Sequence, residues 1–276
     1  MYIQDNAELH SLIPNVMREI TGETTLFAKI TPFISEVEEE FDVKVKGDAT
    51  IPTGIMPVVK RYVANESFRR AIPSLDLILT PNGFGVVSNT NVAPASKERV
   101  ENLRRALNEA VNHSLSIICR NLISVQGAAI TALQKMSIFP NIDIYYVVCN
   151  TDEPKDILLE YEKLQNRFSI RENLMAEKYV SQELMAVLRA RARGESTSND
   201  TDADTLLRMM SQIEIRDARK TADDAMCQPL PAMELRQMVD MIRHSSFKST
   251  WEASATGLAW NVERFENTEK SGGYWL

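Results

Sequence analysis

The longest regular pattern in this chain constrains its fold most. Val100, Leu103, Leu107, Ala110, Ser114, Leu115, Ile118 and Leu122 recur at three- and four-residue steps, the spacing of one face of an α-helix. Ser96 stands where an N-cap belongs and Glu98 falls in the first turn, where an acid suits the helix dipole. A helix of roughly 25 residues spans about 38 Å. It is long enough to organise a bundle, and its mixed flanking positions argue against a plain coiled coil.

Further amphipathic stretches surround it. Helices are predicted over 6–20, 25–41 and 56–71 on one side, and over 154–166, 170–192, 203–223, 231–244 and 248–265 on the other. Pro32 suits a first turn if the second helix starts near Thr31. Val59, Tyr62, Val63 and Phe68 form the apolar face of the third. Leu75, Leu77 and Leu79 alternate with Asp76, Ile78 and Thr80, and Pro81-Asn82-Gly83 leads into Phe84. Alternation followed by a proline-glycine turn reads as a β-hairpin. Ile142, Ile144, Tyr146 and Val148 also alternate with their neighbours, which makes this segment a candidate third strand. The expected fold is mainly α: a helical bundle with a long central helix and a small antiparallel β element, a hairpin near 75–88 and a third strand near 142–149. Residues 1–193 read as a helical core with the hairpin, 194–204 as a polar linker, 205–265 as C-terminal helices and 266–276 as an extended, aromatic-ended tail.

Charge and cysteine usage narrow the class of function. Thirty-one basic and 38 acidic residues give a net charge of −7. Such a surface repels nucleic acid on average, because non-specific affinity comes from neutralising phosphates. Cys119, Cys149 and Cys227 are odd in number and widely spaced, which fits a reducing compartment. The first residues carry acids and no apolar run, so no signal peptide is expected, and the most apolar stretch, Ile142 to Cys149, is too short to cross a bilayer. A chain of 276 residues can bury a sizeable core without disulfides or metals.

Catalytic patterns are sparse. His10, His113 and His244 are scattered, with no paired metal-ligand spacing, and read as surface or core-edge residues. Gly83-Phe-Gly85 starts like a dinucleotide fingerprint, but turn glycines explain it better. Asp200, Asp202 and Asp204 open like a calcium loop, yet Thr205 and Ser211 replace the glycine and the bidentate glutamate that such a loop needs. A solvated acidic linker is the simpler reading. No cofactor, no metal and no catalytic set is expected. Arg189, Arg191 and Arg193 cluster near a helix C-terminus, as a structural cap or as a contact to phosphate or to an acidic partner. Tyr274, Trp275 and Leu276 follow two glycines; such aromatics gain by docking, either on the chain's own core or on a neighbouring subunit.

The segment RYVANESFRRAIPSLDLILTPNGFGVVSNTNVAPASKERVENLRRAL, and within it the block Asp76 to Val100, resembles structural proteins of Bacteroidetes phages and prophages, crAss-like or related tailed phages. The ending FENTEKSGGYWL is similar to the C-terminus of the same group. The resemblance implies a virion protein of the head–tail junction, made in the host cytoplasm. It would be a connector or adaptor packed as a ring of about twelve copies beneath the portal. Its partners would be further copies of itself, the portal protein and tail or connector proteins, with DNA passing through the channel without sequence-specific binding and no membrane contact. In that setting Pro81, Asn82, Gly83 and Phe84 at the hairpin tip, and Tyr274, Trp275 and Leu276 in the tail, would make inter-subunit contacts. Two rival classes are a cytosolic enzyme, which needs a convergent pocket of titratable groups, and a nucleic-acid-binding regulator, which needs a basic face.

Overall fold

The computed structural model describes residues 1–14, 24–75, 77–80, 83–86, 97–149, 156–196, 200–220 and 230–261. Contacts divide the chain into unit 1, Met1–Lys135 with Phe139–Lys163, and unit 2, Met136–Ile138 with Leu164–Leu276. The division at Lys163 falls inside a single helix, whereas residues 194–204 lie within unit 2.

Unit 1 opens with α1, Asn6–Leu12, capped by Asp5, whose carboxylate accepts the Glu8 N–H. Helix α2, Leu26–Phe41, is capped by Thr25 and buries Leu26, Ile30, Ile34, Val37 and Phe41 at helical spacing. It starts earlier than Thr31, so Pro32 sits within the helix, on its exposed side. Burial of five apolar side chains outweighs the one backbone hydrogen bond that a proline forfeits. Then comes a wide π-turn, Asp42–Lys46, closed by the Gly47 N–H on the Asp42 carbonyl at 2.8 Å. Helix α3, Met56–Leu75, buries Val59, Tyr62, Val63 and Phe68. Leu77–Thr80 (β1) pairs antiparallel with Gly83–Val86 (β2), Leu77 opposite Val86 and Thr80 opposite Gly83. The long helix is α4, Lys97–Leu122, 26 residues. Its buried residues begin at Leu107; it packs most extensively on α3, which also packs on α2.

Residues 142–149 are not a third strand. Ile130–Gln134 is α5, and Ile144–Cys149 is a short helix, α6, entered through Ile144 N–H to Asn141, Tyr145 N–H to Ile142 and Tyr146 N–H to Asp143. Ile144, Tyr145 and Val148 are its buried residues. That is an i, i+1, i+4 pattern, in which Tyr145 turns inward although strict alternation would turn it out. Among the described residues the sheet has two strands.

Helix α7, Ile157–Met175, runs without interruption through the 166–170 region where a break is predicted. The break comes later. Ala176–Val180 opens into a second π-turn, closed by the Ser181 N–H on the Ala176 carbonyl at 2.9 Å. Ser181 holds φ +85° while fully buried, and its hydroxyl caps α8, Gln182–Ala192. In unit 2 there follow α9 (Thr201–Lys220), α10 (Ala232–Arg243), α11 (Lys248–Glu252) and α12 (Ala255–Trp260). The last two replace the single helix predicted over 248–265, because Ser254 ends one and caps the other through the Gly257 N–H. The architecture is mainly helical.

Candidate functional site

Three groups of polar side chains stand out within the units. In unit 1, α3 carries Glu66, only 4% exposed. Arg69 donates to both its oxygens at 2.7 Å through Nε and Nη2, and Arg70 Nε adds a third bond at 2.7 Å. Arg70 also reaches Glu36 at 3.0 Å and Glu40 at 2.8 Å on α2. Burial, reinforced by Glu66, pushes the neighbouring Tyr62 phenol far up. The cavity beside this cluster, between Tyr62, Glu66, Arg69, Asn108 and Asn112, measures about 30 Å³, space for one water. The cluster clamps α3 to α2, and its charges are fully engaged there.

The second feature is a groove of about 490 Å³ along one face of α4. Glu109, His113, Ser116 and Arg120 line one wall, with Asp143 and Tyr146 opposite. Arg120 is bonded to Asp143. The volume suits a small ligand or a peptide segment. Nearby, Cys119 is buried, and burial pushes its thiol up to about 12, the signature of an inert structural cysteine.

In unit 2, α7, α8 and α9 bring five charged residues together, four of them buried and Arg189 part-exposed. Glu172 is fully buried, accepting the Ile138 N–H at 2.8 Å and Arg189 Nε at 2.6 Å. Arg171 bonds Asp217 at 2.6 Å. Glu214 is 1% exposed, and neither of its carboxylate oxygens has a hydrogen-bond partner. Sequence reading passed over this group. The signal was present: Leu206, Met210, Ile213, Glu214 and Asp217 share one helical stripe, so two acids interrupt an apolar face.

The π-turn at 176–180 is a further anchor that periodicity alone does not reveal. A π-turn and its end leave carbonyls that a regular helix would have bonded. Thr256 Oγ1 donates to Ala176 O and Glu177 O at 2.9 and 3.1 Å, Trp260 Nε1 to Lys178 O at 2.7 Å, and Trp251 Nε1 to Tyr179 O at 2.8 Å. The Arg243 guanidinium lies over both indoles, 5.4 and 5.7 Å from their centroids, a cation–π pairing.

The residues singled out by sequence scatter. Arg189 is held by Glu172 and Asn173, Arg191 by both oxygens of Asp204, and Arg193 by both oxygens of Glu195. All three guanidinium groups are engaged within unit 2. Asp200 caps α9 through the Asp202 and Ala203 N–H groups, and Asp202 accepts the Ser246 N–H. The acidic run is therefore a helix cap with two tertiary contacts. Gly83 and Phe84 open β2, facing Thr80 and Leu79. Pro81, Asn82, Tyr274, Trp275, Leu276 and Cys227 lie outside the described residues. Among the described residues, no three His, Cys, Asp or Glu side chains gather as a metal site, and no helix is long and apolar enough to cross a membrane.

Fold and sites together define a mainly helical protein whose buried polar groups are tied to packing. Residues 21–124 match a family of unknown function (DUF6712), a span under half the chain that runs from before α2 to the end of α4. No curated protein and no solved structure matches.

Proposed function

We propose that this chain is a non-enzymatic structural protein of a phage virion, a connector or adaptor that closes into a ring at the head–tail junction. The observation that carries the reading is the Asp76–Val100 block, which resembles head–tail junction proteins of Bacteroidetes phages and lies inside the matched span. The long helix that follows supports it. Lys97–Ala106, the first ten residues of α4, include no buried residue, while Leu107 onward packs in the core. One helix thus offers a second surface to a neighbour, which a head-to-tail ring interface needs. The net charge of −7 suits a channel through which DNA slides without being gripped. Partners in this reading are further copies, the portal protein and adjoining connector or tail proteins.

Electron microscopy and mass photometry of the purified protein, alone and mixed with portal, test the reading. Rings, or recruitment to portal, are expected; a strict monomer that ignores portal overturns it. Deleting Tyr274–Leu276 distinguishes the two dockings open to the tail. Loss of rings with unchanged thermal stability of the monomer places the tail on a neighbour. Intact rings with a lower melting temperature place it on its own chain.

A further inference from the structure

The buried charges of unit 2 do not balance. Three buried carboxyl groups, Glu172, Glu214 and Asp217, lie with one buried guanidinium, Arg171, and with two that reach solvent, Arg189 and Arg216. Asp217 takes Arg171, and Glu172 takes Arg189 with the Ile138 N–H. Neither oxygen of Glu214 accepts a hydrogen bond. The contrast with Glu66 is instructive: almost as buried, it receives three guanidinium bonds. A buried carboxylate with no donor is among the costliest groups a fold can hold, and it takes up a proton instead.

We infer that unit 2 carries one proton on Glu214 at neutral pH, and that this proton is a pH-sensitive switch whose removal loosens the packing of α7, α8 and α9. The groups acting on Glu214 are Glu172 and Arg171 from α7, Arg189 from α8 and Asp217 on its own helix. From α10, which packs on α9, the buried residues are Leu235, Met238, Val239 and Ile242, all apolar, and its Glu234 is turned to Arg216 at 2.8 Å. Nothing there offers Glu214 a compensating charge.

The direction of the pH effect follows. Burial first, then repulsion from Glu172, raises Glu214 well above its ordinary value of 4.5, against the pull of Arg171 and Arg189. Burial also raises Glu172, to about 7, despite Arg189 and the Ile138 N–H. The two titrate as a pair. Because the folded values lie above the unfolded one, the folded chain holds the proton more firmly. The stability this contributes is complete below about pH 4.5 and is lost as pH rises through the folded values, from about 7 upward.

The test compares the wild-type chain with Glu214→Gln, which copies the neutral acid. Infrared spectra at neutral pH are expected to show the stretch of a buried protonated carboxyl in the wild type and its loss in the variant. Melting temperatures taken from about pH 5 to about pH 9 are expected to fall by about 5 °C more in the wild type than in the variant. Parallel melting profiles, or no protonated carboxyl at neutral pH, overturn the inference. If Glu214→Gln does not fold, the wild type alone decides. A carboxyl band that titrates away in step with falling melting temperature supports the switch, and absence of the band at neutral pH removes it. The outcome is independent of ring formation.

Discussion

Trp251→Ala is expected to lower stability by about 3–5 kcal/mol, the range for truncating a large aromatic in a core. For a chain of this size that is a drop of roughly 6–20 °C in melting temperature. Trp251 is fully buried; its indole N–H holds Tyr179 O and its ring lies under Arg243. Truncation removes the packing, takes the donor from the part-buried Tyr179 carbonyl and exposes the π-turn to which α11 and α12 are tied. Trp260→Ala is the comparison, since Trp260 is half-buried and makes one equivalent bond to Lys178 O. Thermal circular dichroism checks both. A Trp251 effect no larger than that of Trp260 would show that the π-turn is not the anchor of this end of the chain.

Gly47→Ala ranks next. Gly47 closes the first π-turn at φ +58° and ψ −134°, a region that side chains do not enter without strain. A Cβ there would stand 2.6 Å from Gly127 O and 2.9 Å from Ala129 N. Both are backbone atoms and cannot swing aside. Gly127 in turn has φ +84°, and its carbonyl accepts the Asp48 N–H at 3.0 Å. Strain and clash together are expected to cost about 3 kcal/mol or more. Gly54→Ala is the control, because nothing lies within 4 Å of its Cβ position; it should stay within about 0.5 kcal/mol of wild type. Urea midpoints measure both. Equal effects at the two glycines would refute the close approach of residues 47 and 127.

What was legible in the sequence was whatever followed a single periodicity for long enough. Helix α2 over Leu26–Phe41 lies within one residue of the 25–41 expected, and α4 ends at Leu122 as the Val100–Leu122 pattern requires. Short apolar runs were ambiguous. Residues 142–149 are apolar on nearly every side, so alternation could be read into a segment that folds as a helix. The end of α7 was misplaced because nothing local marks it: Ser181 adopts a left-handed φ without being glycine, a conformation set by tertiary contacts. Ser254, by contrast, was a readable cap inside 248–265.

The candidate sites divide the same way. The arginine run was visible as a cluster, but the acids that engage it, Glu172, Asp204 and Glu195, come from three different places in the chain. Glu214 was visible only as an acid on an apolar stripe; its want of a donor depends on how α7 and α8 share their guanidinium groups.

The second π-turn also bears on the order in which the protein acquires its structure during synthesis. Carbonyls at 176–179 wait for donors 72 to 82 residues later. A nascent chain paused after α10 therefore has no way to finish the seam at Ser181. Closure waits until α11 and α12 have been made, and a fragment stalled after α10 should be cut by protease near that seam while the 276-residue chain resists.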